Sequence, residues 1–300
     1  MFLKQLDKSY GQKLTSLFQK LTIVLIFFMA INLYSSGKIT LGLTGVTLKE
    51  DIATIMSFKN YLSKHIKVDV NLKFAKSYSI MESFIINESV DFAYVCGATY
   101  VDLEDLNKIE LFVIPQSNGK NTYSSLIIAQ QDSKEQSLID FQNKTFAMSD
   151  PDSNSGSLLP FYEIIKQGYN KDNFFNKVIY TYDHGESIEA VLNGFVHGAS
   201  VDSMVYDAYI YKHPSAKNRL KIVQDFSNYP IPPFIIRKNL PLEIRQKLQT
   251  TLLNMHKDKK GKQILKAMSI DNFEKPNNIS YEKIKKVKEY MHNYRNKNVQ

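Results

Sequence analysis

The sequence predicts an α/β protein with mostly parallel sheets. Three observations carry this: short apolar runs recur along the chain, helical patterns separate them, and no internal repeat or low-complexity linker interrupts the alternation. The strand-like runs fall, in order, at 39–43, 68–74, 92–95, 111–115, 124–129, 145–148, 178–182, 199–201, 220–223 and 234–237. Helical patterns lie near 48–65, 79–88, 155–168, 186–194, 203–212, 241–256 and 280–295. Pro241, followed by Glu243, Arg245 and Lys247 among Ile244, Leu248 and Leu252, reads as a helix start. From Ser280, the residues Tyr281, Ile284, Val287, Met291 and Tyr294 recur at helical spacing, with Lys283, Lys285, Lys286 and Lys288 on the other faces. That segment is either a membrane-surface or partner helix, or an amphipathic helix docked on its own domain. With no linker to string lobes end to end, two lobes would be built from interleaved segments.

The 300 residues are 43% hydrophobic and 23% charged, which excludes a disordered chain, a collagen and a multi-span membrane protein. The net charge of +8 invites a nucleic-acid reading, so its placement matters. Residues 1–40 hold five Lys against one Asp, and residues 241–300 hold 14 basic and 6 acidic residues. Residues 41–240 hold 19 basic and 23 acidic residues, so the middle of the chain is mildly acidic. A nucleic-acid groove through the fold is not expected.

Lys4, Lys8, Lys13 and Lys20, opposed only by Asp7, precede the mostly apolar stretch 21–34 and the small residues Ser35, Ser36 and Gly37. This is the order of a secretory signal, and the apolar run is short of the roughly 20 residues of a spanning helix. Residues 1–37 are therefore a signal peptide or an N-terminal anchor, and the remainder is expected in the periplasm. Cys96 is the sole cysteine, so no intramolecular disulfide forms.

The segment Ser149-Asp150-Pro151-Asp152-Ser153-Asn154-Ser155-Gly156-Ser157 lies between a strand-like run and a helical pattern. A polar, Gly-containing strand-to-helix turn leaves helix-start N–H groups unpaired, and Ser153 and Ser155 add hydroxyls. The turn is an anion site, or its Ser, Asp and Asn residues only cap the helix. Asp183, His184, Glu186 and His197 lie close in sequence without a tight metal-ligand spacing. No nucleophile-elbow or HExxH pattern occurs, so an enzyme is not expected.

This segment resembles the DPxSxSG loop of the phosphate/phosphite/phosphonate substrate-binding proteins of ABC transporters, the PhnD-like family. Five further stretches match in the same order: 41–46, 77–79 leading to 90–101, 184–194, 199–207 and 230–241. The resemblance covers about 40–275. It implies a two-lobed type II periplasmic-binding fold that encloses a small ligand in a cleft by hinge closure. Lobe one is expected at 38–122 plus 229–300 and lobe two at 123–228, with crossovers near 122–125 and 227–230.

Carried over by position, Tyr78, Thr99 and Tyr100 would reach the ligand from lobe one. Ser153, Asn154 and Ser155 would hold its anionic head from lobe two. His184 would line the cleft, and Asp202 would accept a hydrogen bond from a protonated oxygen or an amine. Thr44 is a weaker candidate. The family often has Thr where Asn154 stands, so this chain has one hydroxyl fewer. Each residue also has a plainer role: His184 or Asp202 as a helix cap, Tyr78 as a core aromatic. Cys96 is a small buried hydrophobe or a thiophilic ligand contact.

The function implied is capture of a phosphorus oxyanion for an ABC permease, with no cofactor, metal or nucleic acid. The alternative is a periplasmic sensor, for arsenite through Cys96, that signals to a membrane histidine kinase.

Overall fold

A computed structural model describes residues 37–45, 51–277 and 279–298. The expected signal or anchor, apart from Gly37, lies outside the described residues, as does the start of the helical pattern at 48. In the first segment β1 (Lys38–Leu43), α1 (Ile52–Ile66), β2 (Asp69–Phe74), α2 (Tyr78–Ile86), β3 (Phe92–Tyr94), α3 (Gly97–Leu103) and β4 (Ile109–Gln116) follow one another. The chain then builds β5 (Thr122–Gln130), β6 (Thr145–Met148), α4 (Leu159–Lys166), β7 (Lys177–Tyr180), α5 (His184–Leu192), β8 (Gly198–Asp202), α6 (Ser203–Lys212) and β9 (Leu220–Pro230). It ends with β10 (Phe234–Arg237), α7 (Leu242–Asn254), α8 (Lys259–Ala267), β11 (Asn272–Glu274) and α9 (Glu282–Asn298).

The strands form two sheets, ordered β11-β4-β10-β3-β1-β2 and β7-β6-β8-β5-β9. The first therefore draws on both ends of the described chain and the second on its middle. Parallel pairing joins β1 to β3, and β6 to both β7 and β8. The expectation of mostly parallel sheets needs correction, because β10 runs antiparallel between β3 and β4, and β5 runs antiparallel between β8 and β9. The antiparallel strands are the ones by which the chain leaves one sheet and returns to it. A connection between sheets carries no local signature in hydrophobic spacing. Thr122 pairs with Pro230 and Tyr123 with Tyr229 before β5 reaches β8 at Ser125 and Asp202. The two sheets are thus joined by a short two-stranded ribbon.

Both sheets have apolar residues on both faces, as strands with helices on either side require. In the first sheet Phe234 of β10 stacks on Tyr94 at 4.5 Å and packs against Phe58 of α1 at 6.1 Å. In the second, Phe146 of β6 stacks on Phe175 at 4.6 Å and meets Phe141 edge-on. Burying one such ring contributes roughly 1.5–3 kcal/mol.

Helix α9 is docked on its own protein. Tyr281, Ile284, Val287 and Met291 are buried, and Tyr281 donates to the Ile231 carbonyl at 2.7 Å. Three of its lysines serve the same contact: Lys285 pairs with Glu104, Lys288 with Asp102, and Lys283 donates to the Ser227 and Asn228 carbonyls. Gly97 lets the helix approach, since a methyl there would sit 2.6 Å from Ile284 Cδ1. Among the described residues, no helix is long and apolar enough to cross a membrane.

Candidate functional site

Parallel strands followed by helices place helix N-termini in the crevice outside the carboxyl ends of the strands, where α/β proteins bind ligands. Here β2 leads into α2, β3 into α3, β6 into α4, β7 into α5 and β8 into α6. Ser77, Asp183 and Asp202 cap α2, α5 and α6 with their side chains.

The turn between β6 and α4 is the most closely built part. Ser153 Oγ accepts from the Gly156 N–H at 3.0 Å, and Asn154–Leu158 form a single π-helical turn, a feature frequent at functional sites. Ser157 Oγ donates to the Asp150 carbonyl at 2.6 Å. The Ser155 carbonyl accepts from Ser125 Oγ at 2.7 Å and Ser200 Oγ at 2.6 Å. Position 156 has no room for a side chain: a methyl would lie 2.0 Å from Ser149 Oγ and 2.9 Å from Ser153 Oγ.

From this turn, hydrogen bonds reach the other helix starts. Ser149 Oγ lies 3.2 Å from His184 Nε2, and the Asp202 N–H donates to His184 Nδ1 at 3.1 Å. An Nδ1 that accepts is unprotonated, so the proton of the ring sits on Nε2 and points at Ser149. Across the cleft, the Tyr78 N–H donates to Asp150 Oδ2 at 3.1 Å. The Asn154 N–H points to Cys96 Sγ at 3.4 Å. Asn154 Nδ2 donates to Tyr123 OH at 2.8 Å, on the ribbon between the sheets.

The structure thus brings together Tyr78, Cys96, Thr99, Ser153, Asn154, Ser155, His184 and Asp202, all nearly or wholly buried. Thr44 is buried at the end of β1, and its neighbour Gly45 lies against Tyr182 and Asp183 at the start of α5. Tyr100 is placed differently. It is half-buried, and its ring packs edge-on against Tyr281, just before α9, at 4.8 Å. The cap of α5 is Asp183 and not His184, whereas Asp202 Oδ1 does cap α6 through the Met204 and Val205 N–H groups.

Among the described residues, no Lys or Arg is buried, so the polar interior is made of hydroxyls, amides, three carboxyls and one imidazole. Burial pushes the Asp202 carboxyl up to about 7, against the two N–H bonds that favour its charged form. Burial also keeps the phenols of Tyr78, Tyr94 and Tyr123 far above their ordinary value, so each remains a neutral hydrogen-bond donor. The Cys96 thiol rises to about 11 for the same reason and is protonated at neutral pH. Two buried atoms at the site, Thr99 Oγ1 and Asn154 Oδ1, have no hydrogen-bond partner among the described residues. No group of three His, Cys, Asp or Glu side chains among those residues is arranged to hold a metal ion.

Sequence reasoning passed over Tyr123, Ser125, Ser149, Asp150 and Ser200 as site residues. Tyr123 and Ser125 share one face of β5 by the period of two, and Ser149 with Asp150 directly follows β6. Those positions were the available signal.

Residues 47–281 match the family described as periplasmic substrate-binding proteins of phosphonate ABC transporters. The phosphonates-binding periplasmic protein of Escherichia coli (strain K12) is 26% identical over 217 residues, covering 70% of this chain and 64% of that protein. The match therefore spans less than two thirds of that relative's length. A binding-protein component of an ABC phosphonate transporter from Pseudomonas aeruginosa superposes with a TM-score of 0.76 at 23% identity, covering 84% of this chain and 86% of its own. A Prochlorococcus marinus protein solved in complex with methylphosphonate superposes with a TM-score of 0.74 at 20% identity, covering 85% and 98%. Both likenesses are of fold, the two-lobed type II periplasmic-binding architecture.

Proposed function

The chain belongs to the family of periplasmic substrate-binding proteins of phosphonate ABC transporters, and we propose that it captures a phosphonate head between its two lobes and delivers it to a membrane permease. The observation that carries this reading is the buried Ser149–Ser157 turn, tied to both sheets and bordered by two unpaired polar atoms. An anion there would be held by hydroxyls and helix-start N–H groups, with no buried Lys or Arg among the described residues to neutralise it. Neutral, pre-aligned donors suit a ligand that must be held tightly and then released whole.

Lobe one would comprise 38–122 plus 229–300 and lobe two 123–228, rotating about the ribbon at Tyr123 and Tyr229. Closure adds the Tyr78–Asp150 and Asn154–Cys96 contacts to those made by the ligand, so binding favours the closed state by differential affinity. The basic leader at 1–37 would direct the chain to the periplasm. Phosphite and phosphate share the tetrahedral head and enter the same test. Calorimetric titration with methylphosphonate, phosphite and phosphate should give saturable one-to-one binding of at least one of them. Ser153→Ala combined with Ser155→Ala should abolish it. Silence from the folded protein toward all three would overturn the reading.

A further inference from the structure

Asn154 is fully buried, and its side chain is fixed at one end. Nδ2 donates to Tyr123 OH at 2.8 Å. The other end, Oδ1, has no partner among the described residues. The backbone is held as well, by the N–H bond to Cys96 Sγ. The second unpaired atom, Thr99 Oγ1, lies in the first turn of α3, the helix that Cys96 precedes. A carboxamide oxygen can only accept, whereas a Thr hydroxyl can donate or accept. The pair thus suits a head that offers one hydrogen-bond donor and one acceptor.

We propose that Asn154 is a specificity-determining residue, whose carboxamide oxygen selects tetrahedral oxyanions carrying a proton on one head oxygen over oxyanions of the same shape that carry none. The proposal rests on the reading that the Ser149–Ser157 turn holds a phosphonate head. A P–O–H group would donate to Oδ1. A sulfonate, having no proton, would set acceptor against acceptor in a site where water cannot intervene. A buried polar group left unpaired in this way costs about ten- to a hundredfold in binding. Sites built to hydrogen-bond one group reject analogues that lack it more strongly than apolar pockets reject a size change.

Other buried titratable groups lie on the elements that meet here: Tyr78 on α2, Tyr94 on β3, Cys96 before α3, Tyr123 on β5, Asp150 after β6, His184 on α5 and Asp202 at the end of β8. Both oxygens of Asp150 already accept, from the Tyr78 and Asp152 N–H groups, so Asp202 is the carboxyl that the test separates from Asn154. Methylphosphonate and methanesulfonate, two anions of one shape, are titrated at mildly acidic pH into the wild-type chain, Asn154→Thr and Asp202→Asn. The wild type should prefer methylphosphonate by about a hundredfold or more. Asn154→Thr, whose hydroxyl can turn to donate, should cut that preference about tenfold or more by gaining affinity for methanesulfonate. Asn154→Ser supplies the same hydroxyl in a smaller side chain should the Thr variant fail to fold. An undiminished preference in both hydroxyl variants, or its collapse in Asp202→Asn alone, would overturn the assignment. So would a wild-type chain that takes both anions equally. Loss of all binding in the folded wild type would instead overturn the phosphonate reading, and this proposal with it.

Discussion

The close packing at position 156 makes Gly156→Ala the most telling single substitution. The new methyl would lie 2.0 Å from Ser149 Oγ, 3.1 Å from Ser149 Cβ and 2.9 Å from Ser153 Oγ. Neither hydroxyl can yield without loss, since Ser149 Oγ bonds His184 Nε2 and Ser153 Oγ holds the Gly156 N–H. Overpacking of this kind costs about 1–3 kcal/mol. At roughly 2–4 °C per kcal/mol for a large domain, thermal melts should shift down by about 2–12 °C. Affinity for methylphosphonate should fall by about tenfold or more, because the displaced hydroxyls belong to the ligand turn. Adding Ser149→Gly removes the side chain that is struck and should recover much of the melting temperature. The reasoning fails if Gly156→Ala melts and titrates like the wild type.

Two further outcomes follow from buried titratable groups. The Asp202 carboxyl is raised from 3.8 to about 7, so between those values the folded chain holds a proton that the unfolded chain has released. Its contribution to stability therefore falls as pH rises through that window. Asp202→Asn keeps the helix cap and should leave the chain more stable than wild type above pH 7, by on the order of a few kcal/mol, with the difference vanishing near pH 4. Identical melting curves across pH would refute this. The Cys96 thiol, buried and raised to about 11, should resist iodoacetamide at neutral pH until denaturant unfolds the chain. Fast labelling of the native protein would show that the thiol is exposed to the cleft as an anion.

Much of the architecture was legible because hydrophobic spacing reports local structure. The strand at 145–148 and the helix at 203–212 coincide with β6 and α6. The rest depended on information that spacing lacks. Strand β9 runs on to Pro230 through Gln224–Tyr229, a polar edge stretch paired on one side, and reads as loop. Helix α8 is a short Lys-rich segment interrupted by Gly261, and β11 is three residues long. At the site, the loop hydroxyls stood out as a strand-to-helix turn. Ser125 and Ser200 did not, because they lie within strands and act through the Ser155 carbonyl. Tyr123 was one aromatic among 18 Tyr, and only its approach to Asn154 in three dimensions distinguishes it.

The central claim is that a phosphonate head sits against the Ser153–Ser155 turn between the two sheets. A crystal structure of the chain grown with methylphosphonate tests it directly. The account predicts head oxygens within about 3 Å of donors on that turn, with Thr99 Oγ1 and Asn154 Oδ1 both gaining partners. Methylphosphonate bound elsewhere, with those two atoms still unpaired, would contradict it.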